Sequence, residues 1–456
     1  MSDADIDRVL ASLGDGSEEC RILIGIIDHQ RRVIADLQAQ LEEARRNQPG
    51  PTAPFRVADE KRVSQPKKPG RKAGHPGSCR PKPDAVDETI QVPLHECPNC
   101  HGPVTDVRPI EQTIEEIPPI RPVVTRLTTY RAQCPNCGTV QSTHPLQTST
   151  AAGAAGRLIG PRATSLAASL LHQHGLSKRR VASILKDCLG LSVSAGGLVH
   201  LSHRLARRLA PQFQALHEHI VQASSLHVDE TSWYVGKPGY TLWVFTTKDT
   251  TFYCVRDSRA RIVVYEVLGT NFPGVLITDC LSVYDGASPV QHKCYAHHLR
   301  AVSQMARRCP AAAEFCQQIT CLLHRAMMLA TLRPVVPEDH FVHARTGLED
   351  EARRLFSTPR ASPDEERLAN RFRKQLDHLF TFLYYPGVDA TNNLAERQLR
   401  PAVISRKNSC GNRTTAGAAT WEVLTSLAAT CRQRGTSFID LAANSAALSP
   451  AFAPAR

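Results

Sequence analysis

Asp279 ends the run Gly274-Val-Leu-Ile-Thr-Asp279, and a carboxylate closing so apolar a stretch constrains this chain more than any other feature. A short apolar run bounded by turn residues reads as a buried strand. Taking a carboxylate out of water costs several kcal/mol unless it is compensated, and a bound cation is the natural compensation. Upstream, residues 227–235, 240–247 and 251–256 read as an antiparallel meander, with Gly236-Lys-Pro-Gly239 as a turn. Residues 261–268 follow as a short helix. Asp229 therefore sits on the first strand and Asp279 at the end of the fourth.

Three strands, a helix and a strand, in that order, match the start of a ribonuclease H-like domain, so a third acid is due from a later helix. Asn392-Asn393-Leu-Ala-Glu396-Arg-Gln-Leu-Arg400 supplies the candidate, with Pro401 expected to end the helix. Asn393 and Glu396 also have capping-box spacing, and spacing alone favours a helix cap for Glu396. Asp257, Asp285 and Asp389 are rival acids that turn or loop chemistry would explain. Three carboxylates suit hard divalent cations, whereas His and Cys favour softer metals.

The flanking sequence points to a polyanionic partner. Lys and Arg exceed Asp and Glu by twelve over the 456 residues, which favours nucleic acid. Within residues 20–44, Leu23, Ile27, Ile34, Leu37 and Leu41 recur at heptad-like spacing with Gln30 in the seam. A dimerising coiled coil is expected there, or else a helix packed on its own domain. Residues 48–83 are rich in Pro and Gly, with nine Lys or Arg between Arg56 and Lys82. Such composition cannot fold alone, and Arg71 and Lys72 belong to a solvated linker or a phosphate-binding arm. Cys97-Pro-Asn-Cys100 and Cys134-Pro-Asn-Cys137 are two identical knuckles suited to a closed structural Zn2+ site, with residues 123–131 as a ribbon strand. Residues 151–221 are helical in pattern. Ser177 is a plausible N-cap, and two helices joined through Gly190 resemble a helix-turn-helix or a plain hairpin, the second carrying Arg204, Arg207 and Arg208.

His227-Val-Asp-Glu-Thr, Ile277-Thr-Asp-Cys, Cys294-Tyr-Ala-His297 and Asn392-Asn393-Leu-Ala-Glu-Arg397 through Arg406-Lys407 together resemble the insertion sequence 66 family of transposases. The resemblance covers nearly the whole chain, including Gly70-Arg-Lys-Ala-Gly-His-Pro-Gly77 and both knuckles. It implies Asp229, Asp279 and Glu396 as an acidic triad for two Mg2+ or Mn2+ ions, which sets the cap reading of Glu396 aside. It also implies a helical insertion over residues 319–385. Arg397, Arg400, Arg406 and Lys407 then join Arg71, Lys72, Arg204, Arg207 and Arg208 as DNA-contacting residues. Leu299 departs from the pattern where relatives often carry Arg, which weakens a phosphate-gripping role for its segment. Cys294 and His297 lack a second pair for zinc and are expected to support the active site, with His297 a candidate for a DNA phosphate.

The expected architecture is multidomain α+β: coiled coil (1–47), basic linker (48–88), zinc ribbon (89–147), helical DNA-binding domain (148–222), ribonuclease H-like catalytic core (223–440) with a helical insertion about 300–388, and a tail (441–456). The expected function is a DDE transposase that cleaves the ends of an insertion element and joins them to target DNA by metal-dependent phosphoryl transfer. The alternatives are a nuclease of the same fold without joining activity, and an inactive domesticated copy. Expected partners are DNA (terminal inverted repeats and target), further copies of the chain as a homo-oligomer, and small companion proteins of the same element. Residues 1–14 do not form a signal peptide and no run is long enough to span a bilayer, so a cytoplasmic, DNA-associated protein is expected.

Overall fold

The structure is a computed structural model that describes Arg80, residues 82–149 and residues 156–446. The coiled coil, most of the basic linker with Arg71 and Lys72, and most of the tail lie outside the described residues. The chain divides into two compact units, Met1–Ile114 and Glu115–Arg456. In the first, Cys97-Pro-Asn-Cys100 is a turn in which the Cys97 amide donates to the Gly102 carbonyl (2.9 Å) and the His101 amide to that of Cys97 (2.8 Å).

The second unit opens with extended chain. Residues 123–130 form no strand, contrary to the sequence expectation, and Val123 and Val124 are exposed. Alternation alone does not make a strand where the chain offers no apolar face to bury. Pairing begins at β1 (Arg131–Cys134), which forms an antiparallel hairpin with β2 (Gly138–Gln141) around the second knuckle. Four helices follow: α1 (Pro161–His172), α2 (Lys178–Leu189), α3 (Ala195–Arg208) and α4 (Ala210–Val221). The Ser177 hydroxyl caps α2 as expected, accepting from the Arg180 amide, and Gly190 ends that helix at φ 65°. Ala167, Val181, Leu185 and Leu198 give the first three helices a small shared core.

Strands β3 (Ser225–Val235), β4 (Lys237–Thr246) and β5 (Thr251–Arg256) form the meander, followed by α5 (Ile262–Leu268), β6 (Val275–Thr278) and β7 (Gln291–Lys293). They build one five-stranded mixed sheet in the order β5-β4-β3-β6-β7, with β6 parallel to β3 and β7 parallel to β6. The turn before β4 is tighter than the sequence suggests, because pairing resumes at Lys237 opposite Val235. Gly236 makes this reversal at φ 66°, and a Cβ there would sit 2.9 Å from the Arg413 carbonyl oxygen.

Helices α6 (Tyr295–Arg308), α7 (Ala313–Leu332), α8 (Glu338–Ser357), α9 (Pro363–Arg373), α10 (Leu376–Leu379) and α11 (Thr381–Tyr384) come next, around their own core of residues such as Ile319, Phe341, Phe356 and Phe372. Then α12 (Asn393–Ser409), α13 (Thr415–Gln433) and α14 (Phe438–Ala446) return to the sheet. Side chains alternate across a strand, and the sheet shows it. Leu226, Val228, Trp243, Phe245, Phe252 and Cys254 face one core, shared with α4, α5 and α14. Trp233, Val235, Leu242, Val244, Tyr253 and Val255 face the other, shared with α12 and α13. Pro401 does not end α12, as the sequence suggested, but lies inside it. Proline forfeits one helical hydrogen bond, yet Leu399 and Ala402 on either side are buried against the sheet. Packing carries the helix past it. No helix among the described residues is long and apolar enough to cross a membrane.

Candidate active site

The register of the parallel pair sets the first two acids. His227 lies opposite Ile277, so two residues further along, Asp229 and Asp279 stand level on neighbouring strands. Odd-numbered side chains of β3 face α12, and Asp229 is one of them. Glu396 lies one turn into that helix.

Asn392 holds the helix in place, a role its position in the sequence motif did not disclose. It is fully buried, and its Nδ2 donates to the Val228 carbonyl (2.7 Å). Its Oδ1 is then left to accept from His227 Nδ1 (3.1 Å), and its amide donates to Cys294 Sγ (3.0 Å). Asn392 is the N-cap residue of α12, with no side-chain cap. Glu396 therefore falls one place beyond the capping-box position, and its Oε1 lies 3.8 Å from His297 Nε2 instead. The cap reading of Glu396 fails.

The acids act on one another electrostatically. The Asp229 carboxyl is pushed up to about 7, first by burial and then by the charge of Glu230, with Asp279 and Glu396 adding to the rise. The Glu230 amide, 2.9 Å from Asp229 Oδ1, opposes it. Asp279 Oδ1 accepts from the Leu281 amide (2.9 Å), which fixes the bend after β6. Among the described residues, no three His, Cys, Asp or Glu side chains converge tightly enough as placed to grip an ion. The donor set nonetheless suits a hard divalent cation, because all three groups are carboxylates and Asp229 is one whose charge its surroundings disfavour.

Residues 156–420, more than half of the chain, match the family described as Transposase IS66 family. The chain belongs to that family. No curated protein matches it. A transposase acts on DNA, so the family carries DNA binding and an enzymatic function with it.

Elsewhere in this transposase the expected DNA-contacting residues divide. Arg397, Arg400, Lys407 and Arg207 are exposed. Arg406 is turned inward: its Nη1 donates to Thr231 Oγ1 (3.2 Å) and Ser232 Oγ (2.8 Å), and also to the Ser232 carbonyl. It docks α12 on β3. Arg208 donates to the Thr148 carbonyl (3.2 Å), and Arg204 is half-buried with its Nε unpartnered. Of the rival acids, Asp389 lies 3.5 Å from His227 Nε2, Asp285 lies 3.4 Å from Lys293 Nζ, and Asp257 is exposed. In each knuckle, backbone amides draw the first thiol below its ordinary value: those of Asn99 and Cys100 for Cys97, and those of Asn136 and Cys137 for Cys134.

The residue that sequence reasoning overlooked is Glu230. It follows Asp229 and faces the opposite core, with its side chain 2% exposed. Arg259 grips Glu230 Oε1 through Nη2 (2.7 Å) and Nε (3.1 Å), while the Tyr284 hydroxyl donates to Oε2. The only sequence signal was its adjacency to Asp229.

Proposed function

We propose that this transposase cleaves the ends of its element and joins them to target DNA at Asp229, Asp279 and Glu396, carried by a ribonuclease H-like core. The observation that supports this best is that Asp229 on β3 is pushed up to about 7, with the charges of Asp279 at the end of β6 and Glu396 on α12 adding to the effect of its burial and of Glu230. Mg2+ or Mn2+ bound there would activate the attacking water or 3′-OH and stabilise the departing 3′ oxygen. The chain's own residues supply the carboxylates and fix their spacing. Asn392 locks the Glu396 helix to β3, the Leu281 amide orients Asp279, and His297 stands beside Glu396 where a scissile phosphate would approach.

The test uses duplexes carrying an element end, both intact and precut. Asp279→Asn keeps the side chain's shape and removes the charge a divalent cation needs. Cleavage and joining should both fall by orders of magnitude while end binding persists. A variant that still joins precut ends with Mg2+ refutes the assignment. A wild-type protein that cuts and never joins is a nuclease of the same fold.

Two further parts of the proposal rest on the sequence alone. The paired knuckles would hold structural zinc, so Cys134→Ser should lose zinc that the wild type carries through purification. A wild type that folds fully without zinc refutes this. Residues 1–47 would assemble the homo-oligomer, alone or with small companion proteins, and sedimentation of the chain lacking them should show a smaller species.

A further inference from the structure

A cationic ridge forms where the helical segment meets the catalytic sheet, from residues far apart in sequence. Lys178 opens α2, followed by the exposed Arg179 and Arg180. His200, His203 and Arg207 lie on α3. Arg413 is exposed on the short loop between α12 and α13.

Four hydrogen bonds fix this junction. Asn408 Nδ2, at the end of α12, donates to the Gly175 carbonyl just ahead of α2 (3.4 Å). His203 Nδ1 lies 2.5 Å from Thr420 Oγ1 on α13, and His172 Nδ1 lies 3.2 Å from Thr425 Oγ1 on the same helix. The Gly236 amide donates to the Asn412 carbonyl (3.0 Å), which seats the Arg413 loop on the β3–β4 turn.

The neighbouring charges are of one sign. Desolvation and then the Arg413 guanidinium hold Lys178 below its ordinary value, and no acid is among the groups that act on it. His203 is lowered by desolvation and then by Arg207, His200 and Lys178, again with no acid. Clustered cations without carboxylates repel one another, and a polyanion laid against them relieves that repulsion.

We propose that this ridge, centred on Lys178, Arg207 and Arg413, grips the phosphate backbone of duplex DNA and so couples the helical segment to the loop that follows the Glu396 helix. The proposal rests on the DNA-binding reading above and adds Lys178 and Arg413 to it. It also relocates the contact. The α2–α3 pair meets phosphate through the start of α2 and the loop after α12, while Arg208 is turned to the Thr148 carbonyl and Arg204 is half-buried.

The probe is a fluorescein-labelled duplex of mixed sequence, titrated with full-length protein by anisotropy over a salt series. Changing Lys178→Gln and Arg413→Gln together should flatten the slope of log K against log salt by up to about two units. The charge-preserving pair Lys178→Arg and Arg413→Lys should keep the wild-type slope. Independently of any variant, amine labelling of the wild type, read by mass spectrometry, should show Lys178 protected when the duplex is bound. An unchanged slope in a folded glutamine pair, or labelling of Lys178 that ignores the duplex, overturns the ridge while leaving the transposase reading intact. A wild type that binds no duplex overturns both, and one that binds single-stranded RNA with the same Lys178 protection but not duplex DNA overturns the ridge as a duplex site.

Discussion

Asp229 and Glu230 are neighbours on one strand, and the two faces of the sheet treat them in opposite ways. Glu230 points into the core shared with α4 and α5, where Arg259 and the Tyr284 hydroxyl satisfy both its oxygens. Asp229 points towards α12, where it meets two more acids and no basic partner bears on it. A buried carboxylate is tolerable when paired and hydrogen-bonded, and costly otherwise. Glu230 is therefore explained by the fold. Asp229 is not explained that way, and a strongly raised carboxyl set among other acids is a candidate for function.

The largest expected effect separates the two by activity. Asp229→Asn, Asp279→Asn and Glu396→Gln should each lower joining by orders of magnitude, and the triple variant should be little worse, because the acids act as a unit. Glu230→Gln keeps the shape and one acceptor for Arg259, and its joining should stay within about tenfold of wild type. Equal losses at positions 229 and 230, measured on precut ends, would erase the distinction between the faces.

Stability should respond in the reverse sense. Arg259→Ala leaves Glu230 buried with Tyr284 alone, and should cost on the order of 2 kcal/mol by denaturant unfolding, discounted because the arginine is largely exposed. Asp229→Asn should stabilise the metal-free protein by a comparable amount at pH 8. The folded-state pKa of Asp229, about 7, lies above the ordinary 3.8. Between those values the native state binds more protons than the unfolded one, so wild-type stability falls as pH rises through the window. The gain from Asn should thus be present above pH 7 and vanish below about pH 4. A gain independent of pH would mean that burial and the neighbouring charges do not raise the Asp229 carboxyl.

Much of this contrast was legible in the sequence on one face only. The apolar run ending at Asp279 and the meander from residue 227 follow from local pattern, so most of the sheet and two of its acids could be read directly. Glu396 could not, because a Glu three residues after an Asn satisfies a capping box as well as a catalytic motif, and only the helix start at Asn393 separates the two. Asn392 and Glu230 escaped for a different reason. Their partners, Val228 and His227 for one and Arg259 and Tyr284 for the other, are brought in by strand pairing and helix docking that no spacing rule encodes. Pro401 misled because its local penalty is smaller than the packing of Leu399 and Ala402.

The smallest expected effect guards the comparison against a simpler reading, that any raised carboxylate marks the site. Glu422 on α13 is also pushed up to about 7, chiefly by burial. Yet its Oε1 accepts from the Val255 amide (2.7 Å) and lies 3.5 Å from Arg256 Nη1, and Asp229, Asp279 and Glu396 are not among the groups that act on it. Its ordinary value is 4.5, so its ionisation costs stability as pH rises from about 4.5 through 7, and the full cost is present above that range. Glu422→Gln keeps the acceptor for Val255 and removes the charge. It should gain on the order of 1 kcal/mol or more at pH 8, and nothing at pH 4. Joining should be unchanged. If Glu422→Gln instead lowered joining as far as Asp229→Asn, a raised carboxyl anywhere under this sheet would matter, and the meeting of β3, β6 and α12 would not be what defines the site.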